Sequence, residues 1–308
     1  MTDTFIRPLR LGTRGSALAR AQSTEVAEQI EKTCDRAVEL VEIVTNGDRS
    51  SAPVATLGVG VFVSALRDAL LAGEIDVAVH SYKDLPTAAA DGLTIAAVPE
   101  RADPRDALIA RDGLSLAELP AGSKIGTGSP RRIAQLLERG YGLECVPLRG
   151  NVDTRLRRVA DGELDAVVLA AAGLARLGRI GEATELLDPM LMLPAPAQGA
   201  LAVECRTGDA ALLEQLADLD HAATHAAVRA ERALLAALEA GCSAPVGALA
   251  EVTEDNEMYL RGAVIAVDGS DAVRLSGTGT PSDAEAIGRR LAATLLDEGA
   301  DSLMGSTR

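Results

Sequence analysis

A dense group of basic residues lies between positions 124 and 158, in a chain whose formal net charge is −15. Arg131 and Arg132 fall in the first turn of a predicted helix, where cationic side chains oppose the helix dipole. That helix end also offers free N–H groups to an anion, and Arg149 follows a predicted strand. Because arginine forks match carboxylate and phosphate groups, the pattern predicts a polyanion site. For any single arginine, a solvated helix face is the alternative.

A second set of polar residues is the run HSYKDLP, which begins at His80 and follows an apolar, strand-like segment. Asp84 is the residue in this run best suited to acid–base work. A carboxylate at a ligand site can act as general acid and base or stabilise a cationic intermediate. The alternative for Asp84 is a turn cap before Pro86.

A third candidate is Cys242, in the Gly/Pro-rich run GCSAPVG after a predicted helix end. A lone cysteine among small residues is usually buried and inert, and Cys34, Cys145 and Cys205 fit that description. The loop position of Cys242 allows its thiol to face a ligand. A thiol enzyme with Cys242 as nucleophile is a further option, although no base is evident nearby.

An ordered internal repeat indicates two related lobes. GEIDVAVHSYKDL (73–85) aligns with GELDAVVLAAAGL (162–174), and two weaker matches occur in the same order in both halves. Lobe 1 is polar at the end of this strand, where lobe 2 is apolar. Each repeat alternates strands and helices, which predicts parallel sheets in α/β lobes, and two such lobes usually bind their ligand between them.

The predicted elements follow from periodicity and capping signals. Ser16 is a candidate N-cap in lobe 1, and Ser129 followed by Pro130 marks a helix start in lobe 2. In lobe 1 we expect strands at 9–13, 38–45 and 75–80, with helices at 16–32 and 62–72. In lobe 2 we expect strands at 124–127 and 165–170 and a helix at 152–160.

The C-terminal part of the chain changes pattern. The proline-rich segment from about 195 is expected to return to lobe 1. A helix over 224–240, strands at 246–252, 258–266 and 272–278, and a helix over 282–296 predict a small α+β domain. The predicted division is 1–100 with 200–220 (lobe 1), 101–199 (lobe 2) and 221–308.

Composition excludes several classes of protein. The acidic balance of 45 Asp and Glu against 30 Lys and Arg argues against nucleic-acid binding. The uncharged run from Pro189 to Val203 is too short to span a bilayer, and the N-terminus lacks a signal-peptide pattern. Four well-separated cysteines and three histidines predict neither disulfides nor a metal site. We therefore expect a cytoplasmic protein without membrane or nucleic-acid partners.

Taken together, these motifs resemble the porphobilinogen deaminase (hydroxymethylbilane synthase) family. The matching runs are GTRGSALA, HSYKDLP, DPRDA, GTGSPRR, LRGNVDTRL, AAGLARLG, LPAPAQGALAVECR and EAGCSAPVG, in the family's order over about residues 9–250. The resemblance implies an α/β fold with two lobes like those of type II periplasmic binding proteins, plus a small α+β C-terminal domain.

The resemblance also implies a reaction. Four porphobilinogen molecules would be condensed head to tail into hydroxymethylbilane, with release of ammonia, in porphyrin and haem biosynthesis. It implies a dipyrromethane cofactor held by a thioether to Cys242, a catalytic role for Asp84 and a monomeric enzyme. The implied cofactor binders are Lys83, Ser129, Arg131 and Arg132, and the implied substrate binders are Arg14, Ser16, Phe62, Arg149, Arg155 and Arg176.

This chain departs from the family in having Gly128 where serine is common and no lysine in 55–61. The rival interpretation is a non-enzymatic two-lobe binding protein for a small dianion. It accounts for the repeat and the arginines, but it leaves Cys242 and the third domain unexplained. A covalently bound dipyrromethane would distinguish the two, since only the enzyme should carry it.

Overall fold

The structure, a computed structural model, describes residues 7–44, 63–240 and 244–304. The first sheet has the order β2-β1-β3-β10-β4. Its strands β1 and β2 run parallel, as do β1 and β3, while β10 is antiparallel to both β3 and β4. The five strands are β1 (Leu9–Thr13), β2 (Val38–Glu42), β3 (Val77–Ser81), β4 (Leu93–Ala97) and β10 (Leu201–Arg206).

The second sheet repeats this arrangement in the order β7-β6-β8-β5-β9. Strand β6 is parallel to β7 and β8, and β5 is antiparallel to β8 and paired with β9. The strands are β5 (Asp106–Ala110), β6 (Lys124–Gly126), β7 (Glu144–Val146), β8 (Ala166–Ala170) and β9 (Glu185–Leu186). In both sheets three parallel strands are followed by an antiparallel strand and an edge strand, although the antiparallel strand comes last along the chain in lobe 1 and first in lobe 2. This shared arrangement confirms the two related α/β lobes.

The prediction of parallel sheets was wrong for one strand in each lobe. Strands β5 and β10 are antiparallel to their neighbours because each enters its sheet beside the carboxyl end of a parallel strand and runs back. Leu201 pairs with Ser81 and Asp106 pairs with Ala170, the last residues of β3 and β8. The predicted return of the chain to lobe 1 after residue 195 is confirmed by β10.

Helices cover both faces of each lobe sheet. In lobe 1, alternate residues of β3 face opposite sides, so Val77 and Val79 share a cluster with Leu11 and Val26, whereas Ala78 packs with the helix on the other side. Among the described residues before 220, the α-helices are α1 (Ala17–Cys34), α2 (Ser64–Leu71), α3 (Pro130–Glu138), α4 (Val152–Ala160), α5 (Ala171–Arg176) and α6 (Ala210–Leu216).

The C-terminal segment forms an antiparallel meander with two long helices packed on one face. Strands β11, β12 and β13 are Val246–Val252, Met258–Ile265 and Ala272–Gly279, and the helices are α7 (Ala222–Ala237), α8 (Ala284–Asp297) and α9 (Ala300–Leu303). Leu234, Leu260, Leu291 and Leu295 lie in their common core. This confirms the predicted small α+β module.

The chain separates into two compact units, Met1–Arg101 with Ala200–His225, and Ala102–Gly199 with Ala226–Arg308. The first unit is lobe 1 with the sheet strand that returns to it. The second contains both the lobe 2 sheet and the C-terminal sheet, so the division into three domains stays a prediction.

Candidate active site

The polar run predicted from HSYKDLP lies at the carboxyl end of β3. Residues Tyr82–Asp84 form one 3-10 turn directly after the strand. Tyr82, the first residue of the turn, and Leu85, the residue after it, are buried. The Tyr82 backbone N–H donates to the carbonyl oxygen of Ala200 (3.0 Å). The two anchored residues leave Asp84 exposed and Lys83 half-buried, so the carboxylate is accessible to a ligand.

Arg14 and Ser16 lie at the same edge of lobe 1, because β1 and β3 are parallel neighbours. The prediction that Ser16 caps α1 is confirmed, since its hydroxyl accepts a hydrogen bond from the Ala19 N–H (3.2 Å). Farther along α1, the Gln22 side-chain amide donates to the Ser81 hydroxyl (2.7 Å). The start of α1 and the end of β3 are thus held together.

In lobe 2, Ser129 begins α3 as predicted, with Pro130 at the first helical position. The Ser129 hydroxyl accepts no capping hydrogen bond, which leaves its lone pairs uncommitted at this helix end. A Cβ atom on the preceding Gly128 would lie 2.7 Å from the carbonyl oxygen of Leu148. In this chain, a side chain at position 128 would therefore force one of the two backbone segments to shift.

Arg131 and Arg132 are buried and share one carboxylate. Asp106, the fully buried first residue of β5, accepts from Arg131 Nη2 (2.8 Å) and from Arg132 Nη2 (2.7 Å) and Nε (3.1 Å). The Gln198 side-chain amide also donates to Asp106 (2.9 Å). Burial alone would raise the pKa of Asp106, but the two guanidinium groups outweigh it and hold that pKa well below its usual range.

A second concentration of positive charge surrounds Arg155. Burial lowers its pKa first, and the neighbouring charges of Arg132 and Arg149 lower it further. Arg155 Nε donates to the carbonyl oxygen of Gly150 (2.8 Å), and Arg149 is exposed. The guanidinium group of Arg155 thus lies within electrostatic range of two others, in a region that favours an anion.

The structure also places Arg176 in lobe 2, half-buried at the end of α5. Its Nη2 donates to the carbonyl oxygen of Gly199 (3.2 Å). Two of the predicted site residues, Cys242 and Phe62, lie outside the described residues. Their roles stay predictions.

Sequence reasoning missed a buried acidic group in each lobe sheet, Asp106 and Glu204, among others. Asp106 lies in the run DPRDA. The sequence signal that could have identified it is a single acidic residue at the start of the apolar strand DALIA. In lobe 1, Glu204 is buried beside His80 and Arg67 and accepts from Arg67 Nη2 (2.8 Å). His80 Nε2 is 3.1 Å from Glu204 Oε2. His80 is thus a core residue that lies beside a buried acid.

Carboxylate groups fit the donors of lobe 2. The Nε of Arg131 is buried and has no hydrogen-bond partner among the described residues, and the positive charges of Arg132 and Arg149 act on Arg155. A dipyrromethane, which carries acetate and propionate side chains, supplies the acceptors that such a set requires.

Within the described ranges, no helix combines the length and apolar character that crossing a membrane requires. The same ranges contain no group of three or more His, Cys, Asp or Glu side chains arranged to hold a metal ion.

Comparison with known proteins identifies close relatives over nearly the whole chain. Porphobilinogen deaminase of Nocardia farcinica is 62% identical over 305 residues, covering 96% of this chain and 88% of that protein. Porphobilinogen deaminase of Mycobacterium tuberculosis is 59% identical over 308 residues, covering 97% and 99%. A periplasmic substrate-binding protein of an ABC transporter from Coxiella burnetii aligns with a TM-score of 0.44 at 16% identity, covering 68% and 91%.

Two family profiles match consecutive parts of the sequence. The profile for "Porphobilinogen deaminase, dipyromethane cofactor binding domain" matches residues 9–214. The profile for "Porphobilinogen deaminase, C-terminal domain" matches residues 225–297. Together with the identity of 62% to a full-length relative, these matches show that the chain belongs to the porphobilinogen deaminase family.

Proposed function

We propose that this protein condenses four porphobilinogen molecules head to tail into hydroxymethylbilane and releases ammonia. The observation that carries the proposal is the buried arginine pair of lobe 2, in which Arg131 and Arg132 share Asp106 and the Nε of Arg131 has no partner among the described residues. Every pyrrole unit bears two carboxylates, so a growing chain brings an anion to each of several guanidinium groups. Binding those carboxylates neutralises positive charge of the arginines and fixes the position of the ring.

Asp84 is the residue we assign to the chemistry. Its carboxyl group is exposed at the carboxyl end of β3, the edge at which ligands of α/β lobes bind. It would first give a proton to the amine of porphobilinogen, so that the C–N bond breaks and ammonia leaves. The ionised carboxylate would then stabilise the pyrrole cation that remains and, after C–C bond formation, accept the α-proton.

Cys242 is proposed as the covalent tether of the dipyrromethane cofactor. When bound, this group supplies the pyrrole end at which chain growth begins. The thiol would keep that end in the site through each turnover, while water releases the finished product. Lys83, Ser129, Arg131 and Arg132 would hold the cofactor's carboxylates, and Arg14, Ser16, Arg149, Arg155 and Arg176 would contact the substrate and the growing chain.

Several features of the chain agree with these roles. Lys83 stands beside Asp84 in the same turn, and the Ser129 hydroxyl is uncommitted at the start of α3. We further propose that the protein is cytoplasmic, as its composition predicts, and monomeric, as the family resemblance implies.

The decisive measurement is the intact mass of the denatured protein, with Cys242→Ser as the comparison. We expect wild type to exceed its chain mass by two porphobilinogen units less two ammonias, and the variant to match its bare chain. Bare wild type that gains no mass on incubation with porphobilinogen would contradict the proposal and favour a dianion-binding protein.

A further inference from the structure

Asp106 occupies a special place in the repeated architecture. It pairs with Ala170, the last residue of β8, just as Leu201 pairs with Ser81 at the end of β3. The two lobes therefore differ at this equivalent position, with an apolar residue in lobe 1 and a buried acid in lobe 2. Lobe 1 carries its polar groups after β3, whereas in lobe 2 the carboxylate comes from the antiparallel neighbour strand.

The contacts of Asp106 fix two guanidinium groups with almost no freedom. Arg132 directs Nε and Nη2 to Asp106 and Nη1 to the carbonyl oxygen of Val168 (2.9 Å). Arg131 directs Nη2 to Asp106 and Nη1 to the carbonyl oxygen of Leu193 (2.5 Å). Each arginine is therefore held by a charged acceptor on one side and a backbone acceptor on the other.

Charge balance explains how this arrangement still attracts anions. One carboxylate faces two guanidinium groups, so a positive charge is left over after the internal ion pairs form. Removing Asp106 would leave two buried cations side by side with no counter-ion, an arrangement that repels and loses its fixed geometry. The acid therefore lets the arginines remain close together without cancelling their combined charge.

Asp106 is itself held by the segment that leaves lobe 2. The Gln198 amide donates to Asp106 (2.9 Å) and to the carbonyl oxygen of Pro104 (2.8 Å). Gln198 is completely buried, as is Asp106. The carboxylate is thus positioned by a neutral group that does not compete for the ligand's charge.

We propose that Asp106 is a positioning residue, which orients Arg131 and Arg132 to receive the carboxylates of the dipyrromethane and of the growing chain. This inference rests on the proposed function, because it presumes that these arginines bind carboxylates. Asp106 contacts neither substrate nor cofactor in this assignment and acts only through the two guanidinium groups.

The test compares Asp106→Asn with Asp103→Asn. Asp103 lies three residues earlier and pairs with Arg105 at a site where both side chains are about one-third exposed, so its variant controls for losing an acid from this segment. Covalent loading is measured by intact mass as apo-protein reacts with porphobilinogen, and KM and kcat are measured on the loaded fraction. For Asp106→Asn we expect covalent loading to slow and KM for porphobilinogen to rise about tenfold, while kcat changes much less. We expect Asp103→Asn to behave like wild type in all three measurements.

A double-mutant cycle with Arg132→Lys distinguishes failure of this inference from failure of the proposed function. If Asp106 acts through Arg132, Asp106→Asn should raise KM much less in a chain that already carries Arg132→Lys and therefore lacks that guanidinium group. If Arg132→Lys impairs loading and KM but Asp106→Asn does not, the positioning role is wrong and the proposed function stands. If Arg132→Lys changes neither, Arg132 binds no carboxylate and both assignments fail.

Gln198→Leu covers the case in which Asp106→Asn does not fold, as shown by loss of its cooperative thermal transition. This variant leaves the ion pairs but removes one hydrogen bond that orients Asp106. We expect a smaller rise in KM of about threefold with kcat unchanged. A lowered melting temperature with wild-type loading and KM would assign Asp106 and Gln198 to folding alone and overturn the inference.

Discussion

Asp84 owes its exposed position to two neighbours in its own turn. Tyr82 and Leu85 are buried and hold the backbone against lobe 1, so the side chain between them points outward. The position costs little stability because the carboxylate stays hydrated, which avoids the penalty of burying a charge. A substitution here should therefore affect chemistry far more than folding.

Asp84→Asn tests that expectation. We expect the variant to keep its covalent cofactor and melting temperature but to lose turnover by at least about 100-fold, since an amide can neither give nor take the proton. Intact mass, a thermal melt and the rate of porphobilinogen consumption measure the three quantities. Turnover at the wild-type rate would contradict the acid–base role.

Arg149 is more exposed than Arg132 and Arg155, so its substitution leaves the core intact. We expect Arg149→Leu to reduce kcat/KM for porphobilinogen about tenfold, the effect of one charge-assisted contact, and to accumulate enzyme-bound intermediates visible as a ladder of masses. Arg289→Leu is the control, because Arg289 is an exposed partner of Glu285 on α8. A ladder of intermediate masses in the control, or no ladder in Arg149→Leu, would contradict a role for Arg149 in chain growth.

At the scale of elements, the periodicity of the sequence predicts most boundaries well. The strands Leu9–Thr13 and Val246–Val252 and the helix Val152–Ala160 have the predicted bounds. The direction of β5 and β10 relative to their neighbours could not be predicted, because a short apolar run has the same pattern in a parallel strand as in an antiparallel one. Only pairing to a neighbour strand sets the direction.

Close packing between elements is set by tertiary structure and gives a further prediction. A Cβ on Gly288 of α8 would lie 2.2 Å from the carbonyl oxygen of Ala230 in α7, so the two helices must approach closely at this point. We expect Gly288→Ala to lower the free energy of unfolding by about 1–3 kcal/mol. Urea unfolding measures this, with Gly208→Ala, where the added Cβ meets nothing within 4 Å, expected to be near neutral. Equal stability of the two variants would refute the close approach.

At the scale of the whole molecule, each compact unit holds a buried carboxylate in its ionised form. Asp106 does so in the second unit and Asp76 in the first, where Arg7 and Arg10 donate to it. Burial would raise the pKa of Asp76, but hydrogen bonds from these arginines hold it well below its usual range. A lowered folded-state pKa contributes stability above the unfolded pKa, and this contribution is lost as pH falls through the folded value.

Asp76→Asn therefore changes how stability depends on pH. At pH 7 we expect the variant to be about 1–3 kcal/mol less stable than wild type, and the difference to narrow as pH falls below about 4, the ordinary pKa of aspartate. Urea unfolding at pH 7, 5 and 3.5 provides the comparison. Asp112→Asn is the control, since Asp112 is 69% exposed beside Arg111 and should show little difference at any pH. A constant difference for Asp76→Asn would rule out this linkage.

The sequence by itself determined the family, the α/β lobes, the position of Asp84 after a strand and the arginine-rich character of lobe 2. These properties reside in local periodicity, capping signals and ordered motifs, all of which are written along the chain. Tertiary structure decided that Arg131 and Arg132 share Asp106, that Glu204 holds His80 in the core, and that one strand in each lobe sheet runs antiparallel to its neighbours. Those features join residues that are between 25 and 124 positions apart, and only folding, which pairs buried charges and backbone groups in three dimensions, brings such residues into contact.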